Sequence, residues 1–251
     1  MRIKFLIALA GLIFLFSACS PAASITPIAS LAPIKVAVSP SLAGWLPKIN
    51  QCADKLQSSA LVVDETGPST SNQKEADLSL QLGERPKDSD FVSVPGFEEV
   101  VLLQNASNPA EEISKDELIG ILNGAYNTWG EVPSMASQPQ AQDLPVVLFN
   151  LGAEDELTRW ADQAFLDGLA FRSDAETVYS AEELNHSISE TPGSLGFAFR
   201  ANLPAESRLL RIKEASGSVT AWEVPVVATT QTEPSGDLRT LLLCLQALPT
   251  D

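Results

Sequence analysis

Residues 108–131 read NPAEEISKDELIGILNGAYNTWGE, and this stretch indicates the fold more clearly than any other part of the sequence. Ser114 and Glu117 have the spacing of a capping box, in which each side chain accepts a hydrogen bond from a backbone amide at the start of a helix. Ile113 and Leu118 stand at the two positions of a hydrophobic staple, and Leu118, Ile121 and Leu122 form one apolar face. Gly124 then stands where helices commonly end in a left-handed residue. The pattern predicts a short, capped, amphipathic helix followed by a polar turn.

The same stretch resembles the type II periplasmic solute-binding proteins, in particular their phosphate-binding branch. Members of that branch have an Asn-Pro pair just past a hinge strand, a short helix, and then Ile-Phe-x-Gly-x-x-x-x-Trp. This chain has Asn108-Pro109, Ile121-Leu122-Asn123-Gly124 and Trp129 at matching spacing, with Leu122 in place of the phenylalanine. The resemblance implies a two-lobed α/β fold in which each lobe is a mixed sheet flanked by helices.

The first residues have the pattern of a bacterial lipoprotein signal. Arg2 and Lys4 are followed by an apolar run, Phe5–Ser17, which is too short to span a bilayer comfortably. The run leads into Phe16-Ser17-Ala18-Cys19, where small residues precede a cysteine that would be lipidated. An ordinary secretory signal is the alternative, because leucine is usual where this chain has Phe16. Both interpretations predict a protein that works outside the cytoplasm, and the first anchors it to the membrane through Cys19.

The domain organisation follows from the signal and the resemblance. We expect a signal peptide at 1–18 and a tether rich in Ser, Ala and Pro at 19–33. Lobe one is predicted from 34–106 and 200–251, and lobe two from 107–199.

Strands alternate with helices along the folded part of the chain, which favours an α/β architecture. Apolar or alternating runs predict strands at 34–38, 61–63, 76–80, 91–94, 99–103, 144–149, 195–199, 209–212 and 224–228. Helices are predicted after Ser39, over 157–165, after Ser180 and after Ser235. Pro47 lies inside the first helical pattern and should kink it near Leu46.

The composition excludes several functions. Asp and Glu number 32 against 16 Lys and Arg, so nucleic acid is an unlikely partner. No phosphate loop, nucleophile elbow or metal-spaced cluster is present, and the single histidine, His186, lies in a polar helical pattern typical of a solvated position. We therefore expect no enzyme activity, no cofactor and no metal, and we expect a monomer.

Three loops are candidates for ligand contact, because each follows a strand and the first and third also open a helix. The first contains Ser39 and Ser41, whose alternative role is plain helix capping. The second contains Arg85, at the place where the family has a Ser-x-Arg turn beside the ligand. A surface arginine is the alternative there.

The third candidate loop, 150–155, departs from the phosphate-binding pattern. Relatives have an arginine and then Gly-Ser-Gly-Thr, which hold the anion through a guanidinium, hydroxyls and amides. This chain has Asn150, Gly152, Glu154 and Asp155, so the hydroxyls are gone and two carboxylates crowd the start of a helix. The carboxylates suit the helix dipole but would repel a dianion. Glu154 and Asp155 are interpreted as first-turn acids, and ligation of a metal or an amine is the alternative. Phosphate is therefore disfavoured as the ligand.

Cys52 and Cys244 remain after the predicted lipidation site. They follow Ile49 and Leu241 by three residues, so each belongs to an apolar helical stripe. The resemblance implies that the C-terminal segment returns to lobe one, where the two helices could pack together. A disulfide, which the compartment permits, and two buried thiols are both consistent with the sequence.

The resemblance and the signal together predict a lipid-anchored binding component that delivers a small polar solute to an ABC-type importer, with the permease as a further partner. The alternative is an accessory or interaction lipoprotein that keeps the fold without a ligand. An open polar cleft would favour the first function, and a cleft filled by side chains would favour the second.

Overall fold

The computed structural model describes residues 33–64, 75–83, 91–152, 155–214 and 217–248. The predicted signal peptide, Cys19, nearly all of the tether, Arg85 and Glu154 lie outside these ranges. Within them, no helix is long and apolar enough to cross a bilayer. No group of three or more His, Cys, Asp or Glu side chains in the same ranges is placed to hold a metal ion.

The described part of the chain forms eleven strands and five α-helices. The strands are β1 Ile34–Val38, β2 Leu61–Asp64, β3 Leu78–Leu82, β4 Phe91–Gln104, β5 Glu112–Ser114, β6 Val147–Asn150, β7 Glu176–Thr177, β8 Ser194–Phe199, β9 Arg211–Glu214, β10 Gly217–Val219 and β11 Ala221–Thr230. The helices are α1 Leu46–Ala53, α2 Lys115–Leu122, α3 Glu156–Ala161, α4 Ala181–Glu190 and α5 Gly236–Ala247.

Eight strands form one mixed sheet in the order β2-β1-β3-β11-β4-β8-β6-β7. β1 runs parallel to β2 and β3, and β6 runs parallel to β8, whereas β11 and β4 are antiparallel to their neighbours. Mixed sheets with flanking helices confirm the predicted fold class. The sheet is continuous because β4 pairs with β11 along most of its length and with β8 from Val100 onwards.

The prediction of two strands at 91–94 and 99–103 was wrong, because β4 is one strand of 14 residues. Pro95 lies within it. The register against β11 shifts there: Gly96 faces Val226, and Ser93 faces Ala228, so β4 carries one extra residue. A bulge of this kind accommodates a proline, which has no amide hydrogen to donate to a neighbouring strand.

A second sheet has the order β10-β9-β5. The sequence placed residues 209–212 in lobe one, but β9 pairs in parallel with β5, whose residues belong to predicted lobe two. An alternating pattern identifies a strand without identifying its partner, which is why the sequence did not show this pairing. The division into lobes remains a prediction. The pairing of β9 with β5 favours a chain that returns from lobe two to lobe one at β11.

The stretch that opened the sequence analysis folds as predicted. Ser114 Oγ accepts a hydrogen bond from the Glu117 amide at 3.2 Å, and the Ser114 amide donates to Glu117 Oε2 at 2.8 Å. Glu117 Oε1 also accepts from the Ser134 amide at 2.7 Å, so the capping glutamate joins α2 to the segment after Trp129. Gly124 follows with the expected left-handed backbone, φ +78°.

Trp129 ties this stretch to the large sheet. Its ring is fully buried, and Nε1 donates to the Gly193 carbonyl at 2.9 Å, at the start of β8. Gly193 has φ +84°, and a Cβ atom there would lie 1.9 Å from the Pro145 carbonyl oxygen. The close approach of these backbones therefore requires glycine at this position.

The N-terminal and C-terminal helices are joined covalently. Cys52 on α1 and Cys244 on α5 form a disulfide, with 5.7 Å between their Cα atoms. Ile49 and Leu241, three residues earlier on each helix, are fully buried. Pro47 lies in the first turn of α1, where its missing amide is tolerated. The 3₁₀ segment Pro40–Trp45 gives way to α-helix at Leu46, where the backbone angles are helical, and the residue with non-helical angles is Leu42 rather than one near the predicted kink.

Candidate functional site

A cavity of about 840 Å³ opens between four segments of the chain. They are the loop after β1, the loop between β6 and α3, the start of α4, and the segment after β8. Most of the lining is apolar. The residues that matter below are Ser41, Leu151, Asp155, Leu157, Tyr179, Ser180, Glu182, Leu184, Asn185, Phe199 and Asn202.

Two adjacent carboxyl groups are buried beside this cavity. Asp155 is 8% exposed and is the N-cap of α3, where its Oδ1 accepts from the Leu157 amide at 2.8 Å. Glu156 is 3% exposed, and its Oε2 accepts from the amide of Leu82, the last residue of β3, at 2.7 Å. Glu156 therefore connects α3, in predicted lobe two, to a strand of predicted lobe one.

The serines of the loop after β1 belong to the same cluster. The hydroxyl oxygens of Ser39 and Ser41 are 3.1 Å apart, and both residues are buried. Ser41 lies close enough to the Asp155 carboxyl group to lower its pKa, and Ser39 has the same effect on that of Glu156. The structure thus brings together three of the predicted site residues: Ser39, Ser41 and Asp155.

Burial raises the pKa of both carboxyl groups, that of Glu156 to about 7 and that of Asp155 to about 6. Hydrogen bonds and the charge of Arg159 act in the opposite direction. Arg159 Nη2 is 3.8 Å from Glu156 Oε1, and its side chain is half-exposed, so its compensation of the buried charge is weak. Near neutral pH, Glu156 therefore exchanges between its neutral and charged forms.

Of the predicted site residues that the structure describes, Ser39, Asn150 and Gly152 do not line the cavity. Asn150 Oδ1 accepts from the Gly152 amide at 2.8 Å and from Thr177 Oγ1 at 3.4 Å, which closes the loop after β6 on itself. Gly152 has φ +94°, a backbone conformation that suits glycine. Arg85 and Glu154 lie outside the described residues.

Sequence reasoning missed several residues at this site. Glu156 had a signal, since it continues the acidic run at the start of α3, but a first-turn acid looks the same whether it is exposed or buried. No sequence signal marked three other residues of the site: Tyr179, Asn185 and Asn202. Their approach to the loop after β1 depends on how distant segments pack. Asn185 Nδ2 donates to the Asn202 carbonyl at 3.0 Å, and Tyr179 is 83% exposed beside the cavity.

Comparison with known proteins gives structural relatives only. No family model matches the chain, and no curated protein matches its sequence. An ABC-type phosphate transport receptor from Vibrio cholerae superposes with a TM-score of 0.64 at 13% identity, covering 85% of this chain and 94% of the receptor. A putative phosphate ABC transporter substrate-binding protein with bound phosphate, from Clostridium perfringens, gives 0.61 at 12%, covering 84% and 92%.

A second kind of relative is a regulatory domain. The reduced form of the OxyR regulatory domain from Pseudomonas aeruginosa gives a TM-score of 0.55 at 14% identity, covering 86% of this chain and 98% of that domain. At such identities the similarity establishes the fold and nothing finer. The chain has the type II periplasmic-binding-protein fold, as the resemblance implied.

Proposed function

We propose that this chain is an extracytoplasmic solute-binding protein, anchored to the membrane by lipid at Cys19, which delivers a small polar solute to an ABC-type importer. The observation that carries the proposal is the open cavity of about 840 Å³ beside the loops after β1 and β6. Its volume is in the range of small-molecule sites, roughly 300–1,000 Å³. The fold is shared with phosphate transport receptors, which supports a binding role.

The other parts of this proposal rest on the sequence. The Cys19 pattern supports lipid anchoring, and the transporter relatives support a permease as the partner. Binding without catalysis, cofactor or metal is proposed because the relatives are binding proteins and regulatory domains. Lobes at 34–106 with 200–251 and at 107–199 remain part of the proposal, except that the pairing with β5 favours placing β9 in lobe two. A monomer is proposed as well.

A thermal-shift panel of phosphate, sulfate, other oxyanions, sugars, amino acids and amines tests this function. We expect at least one class to raise the melting temperature by roughly 5–10 °C at saturation. Ala43 lines the cavity and is exposed, so Ala43→Trp should fill it and abolish the shift. Asn50→Trp, an exposed position on α1, is the matched control and should keep it. Absence of any shift in the unmodified protein would contradict a binding function.

Phosphate should bind more weakly than about 1 mM at neutral pH, which corresponds to less than about 4 kcal/mol. The Leu82 amide already donates to the Glu156 carboxyl group, and an anion brought beside Glu156 and Asp155 would meet their negative charge. Isothermal calorimetry measures this affinity directly. A micromolar dissociation constant would show that the carboxyl groups leave the position when phosphate arrives.

The second candidate function, a ligand-free accessory or interaction lipoprotein, is favoured by the same cluster. The Leu82 amide, a donor that could meet an anion, is occupied by Glu156 from within the chain. A panel without any hit, together with stable co-purification of a membrane protein, would favour this function over transport.

A further inference from the structure

We propose that the cavity binds an organic cation, a molecule with an apolar body and a protonated amine. This inference rests on the proposed function, because it names the class of ligand that the cavity would take. It is argued from the charge of the lining, the state of the buried carboxyl groups, the helix start at the cavity and the shape of its walls.

The lining has one sign of charge. Of the described residues around the cavity, Asp155 and Glu182 are acidic, and none is lysine, arginine or histidine. The chain as a whole has a formal net charge of −16. A cleft lined by one sign of charge concentrates ligands of the opposite sign, so this cavity favours cations over anions.

The buried carboxyl groups lack a full set of counter-charges. Asp155 and Glu156 are adjacent and more than nine-tenths buried, and Asp155 also lines the cavity. Arg159 is the only basic residue in the described ranges that forms an ion pair with either of them, and it approaches Glu156 rather than Asp155. A buried charge is costly unless it is paired. An ammonium group at the Asp155 end of the cavity would supply the missing partner.

The start of α4 faces the same cavity, and a free helix start would attract an anion. Here Ser180 Oγ accepts from the Glu183 amide at 3.1 Å, and Glu183 Oε2 accepts from the amide of Tyr179, just before the helix, at 2.8 Å. Glu182 adds a second acidic residue in the first turn. These two acids oppose the attraction of the helix dipole for an anion.

The walls suit an apolar body. The apolar residues of the lining include Leu151, which is half-buried, and the buried Leu157, Leu184 and Phe199. Tyr179 lines the cavity although its side chain is 83% exposed, so a face of its ring is free to meet a ligand. An aromatic face attracts an ammonium group, and this contact combines with the carboxylates in recognising an amine.

Matched ligands test the charge requirement. The phenylethyl and indolylethyl skeletons are each titrated by calorimetry as the amine, the alcohol and the carboxylate: 2-phenylethylamine, 2-phenylethanol and phenylacetate, then tryptamine, tryptophol and indole-3-acetate. We expect the amine to bind at least about fivefold more tightly than the alcohol, and the carboxylate to bind most weakly. Added salt should lower the affinity for the amine and leave the affinity for the alcohol unchanged.

Two variants test the residues. Glu182→Gln should lower the affinity for the amine about two- to fivefold, the range expected of an exposed ion pair, and should leave the affinity for the alcohol unchanged. Tyr179→Ala should lower the affinity for the amine by a similar factor. Glu190→Gln makes the same charge change at an exposed position on α4 away from the cavity, so it should leave the affinity for the amine unchanged.

The outcomes separate this inference from the proposed function. Alcohols or carboxylates that bind as tightly as the amines would overturn the cation inference, as would equal effects of Glu182→Gln and Glu190→Gln. No amine binding at about 10 mM, while another class in the panel binds, would overturn the inference and leave the binding function intact. No binding by any class would overturn both.

Discussion

Removing the Cys52–Cys244 disulfide should lower the free energy of unfolding by about 3–5 kcal/mol. The bond links residues separated by 192 positions, so it restricts nearly the whole folded chain in its unfolded state. It also joins α1 to α5 at a seam where Ile49 and Leu241 are fully buried. In a protein of this size the loss corresponds to a fall of roughly 10 °C in melting temperature.

Chemical denaturation of the oxidised protein, the reduced protein and the Cys52→Ala/Cys244→Ala double variant measures this effect. The reduced protein keeps both sulfur atoms, so it isolates the cross-link from the small cavity that alanine would create. A reducing agent should shift the wild-type midpoint and leave the double variant unchanged. Equal midpoints for oxidised and reduced wild type, or two free thiols in the denatured, unreduced protein, would contradict the prediction.

Features governed by near neighbours in the chain could be predicted from the sequence. The capping box of Ser114 and Glu117 and the left-handed Gly124 each depend on residues within about one helical turn. The disulfide was a different case. Spacing placed both cysteines on apolar stripes, but only the packing of α1 against α5 decided between a bond and two thiols.

Features governed by distant segments could not be predicted. Two strands were predicted at 91–94 and 99–103, whereas the chain runs through Pro95 as one strand. The bulge against β11 that accommodates this proline depends on the neighbouring strand and is not visible in sequence spacing. The partner of β9 was equally hidden, since alternation indicates which residues share a face and not which strand lies alongside. These errors concern strand pairing, while the fold class was correct.

The candidate site shows the same division. Ser39, Ser41 and Asp155 were identified as members of separate loops, and the fold brings them together around Glu156. Glu156 escaped notice because burial of a first-turn acid depends on the approach of β3 to α3. Its carboxyl group accepts the hydrogen bond of the Leu82 amide on β3, so the protein places an internal carboxyl group beside its own cleft.

This internal carboxyl group should make stability fall as the pH rises from about 5 to about 8. Burial raises the pKa of Glu156 from 4.5 to about 7 and that of Asp155 from 3.8 to about 6. At a pH between the unfolded and the folded pKa of either residue, its carboxyl group holds a proton in the folded state that it has released in the unfolded chain. Folding is therefore favoured at the lower pH. The contribution is fully present below the unfolded pKa and is lost as the pH rises through the folded one. For Glu156 alone it is on the order of 3 kcal/mol.

Carboxyl groups with a lowered pKa affect stability only at a pH below the range of about 5 to 8. Hydrogen bonds from the Ser58 side chain and the neighbouring backbone hold the pKa of Asp237 at about 2, and the ion pair with Arg172 lowers that of Asp174. Their contributions are present above the ordinary carboxyl pKa and are lost only at more acidic pH. They therefore do not oppose the slope between about pH 5 and 8.

Glu156→Gln should flatten that slope, because a neutral amide can still accept the hydrogen bond from the Leu82 amide but does not titrate. We expect the variant to be more stable than wild type by roughly 2 kcal/mol near pH 8, with the advantage vanishing near pH 5. Denaturation curves at several pH values measure both proteins. Glu131→Gln is the control, since Glu131 is exposed and also accepts backbone hydrogen bonds, so it should keep the wild-type slope. A wild type whose stability rises over this range, or a Glu156→Gln variant with an unchanged slope, would show that Glu156 is ionised in the folded protein throughout.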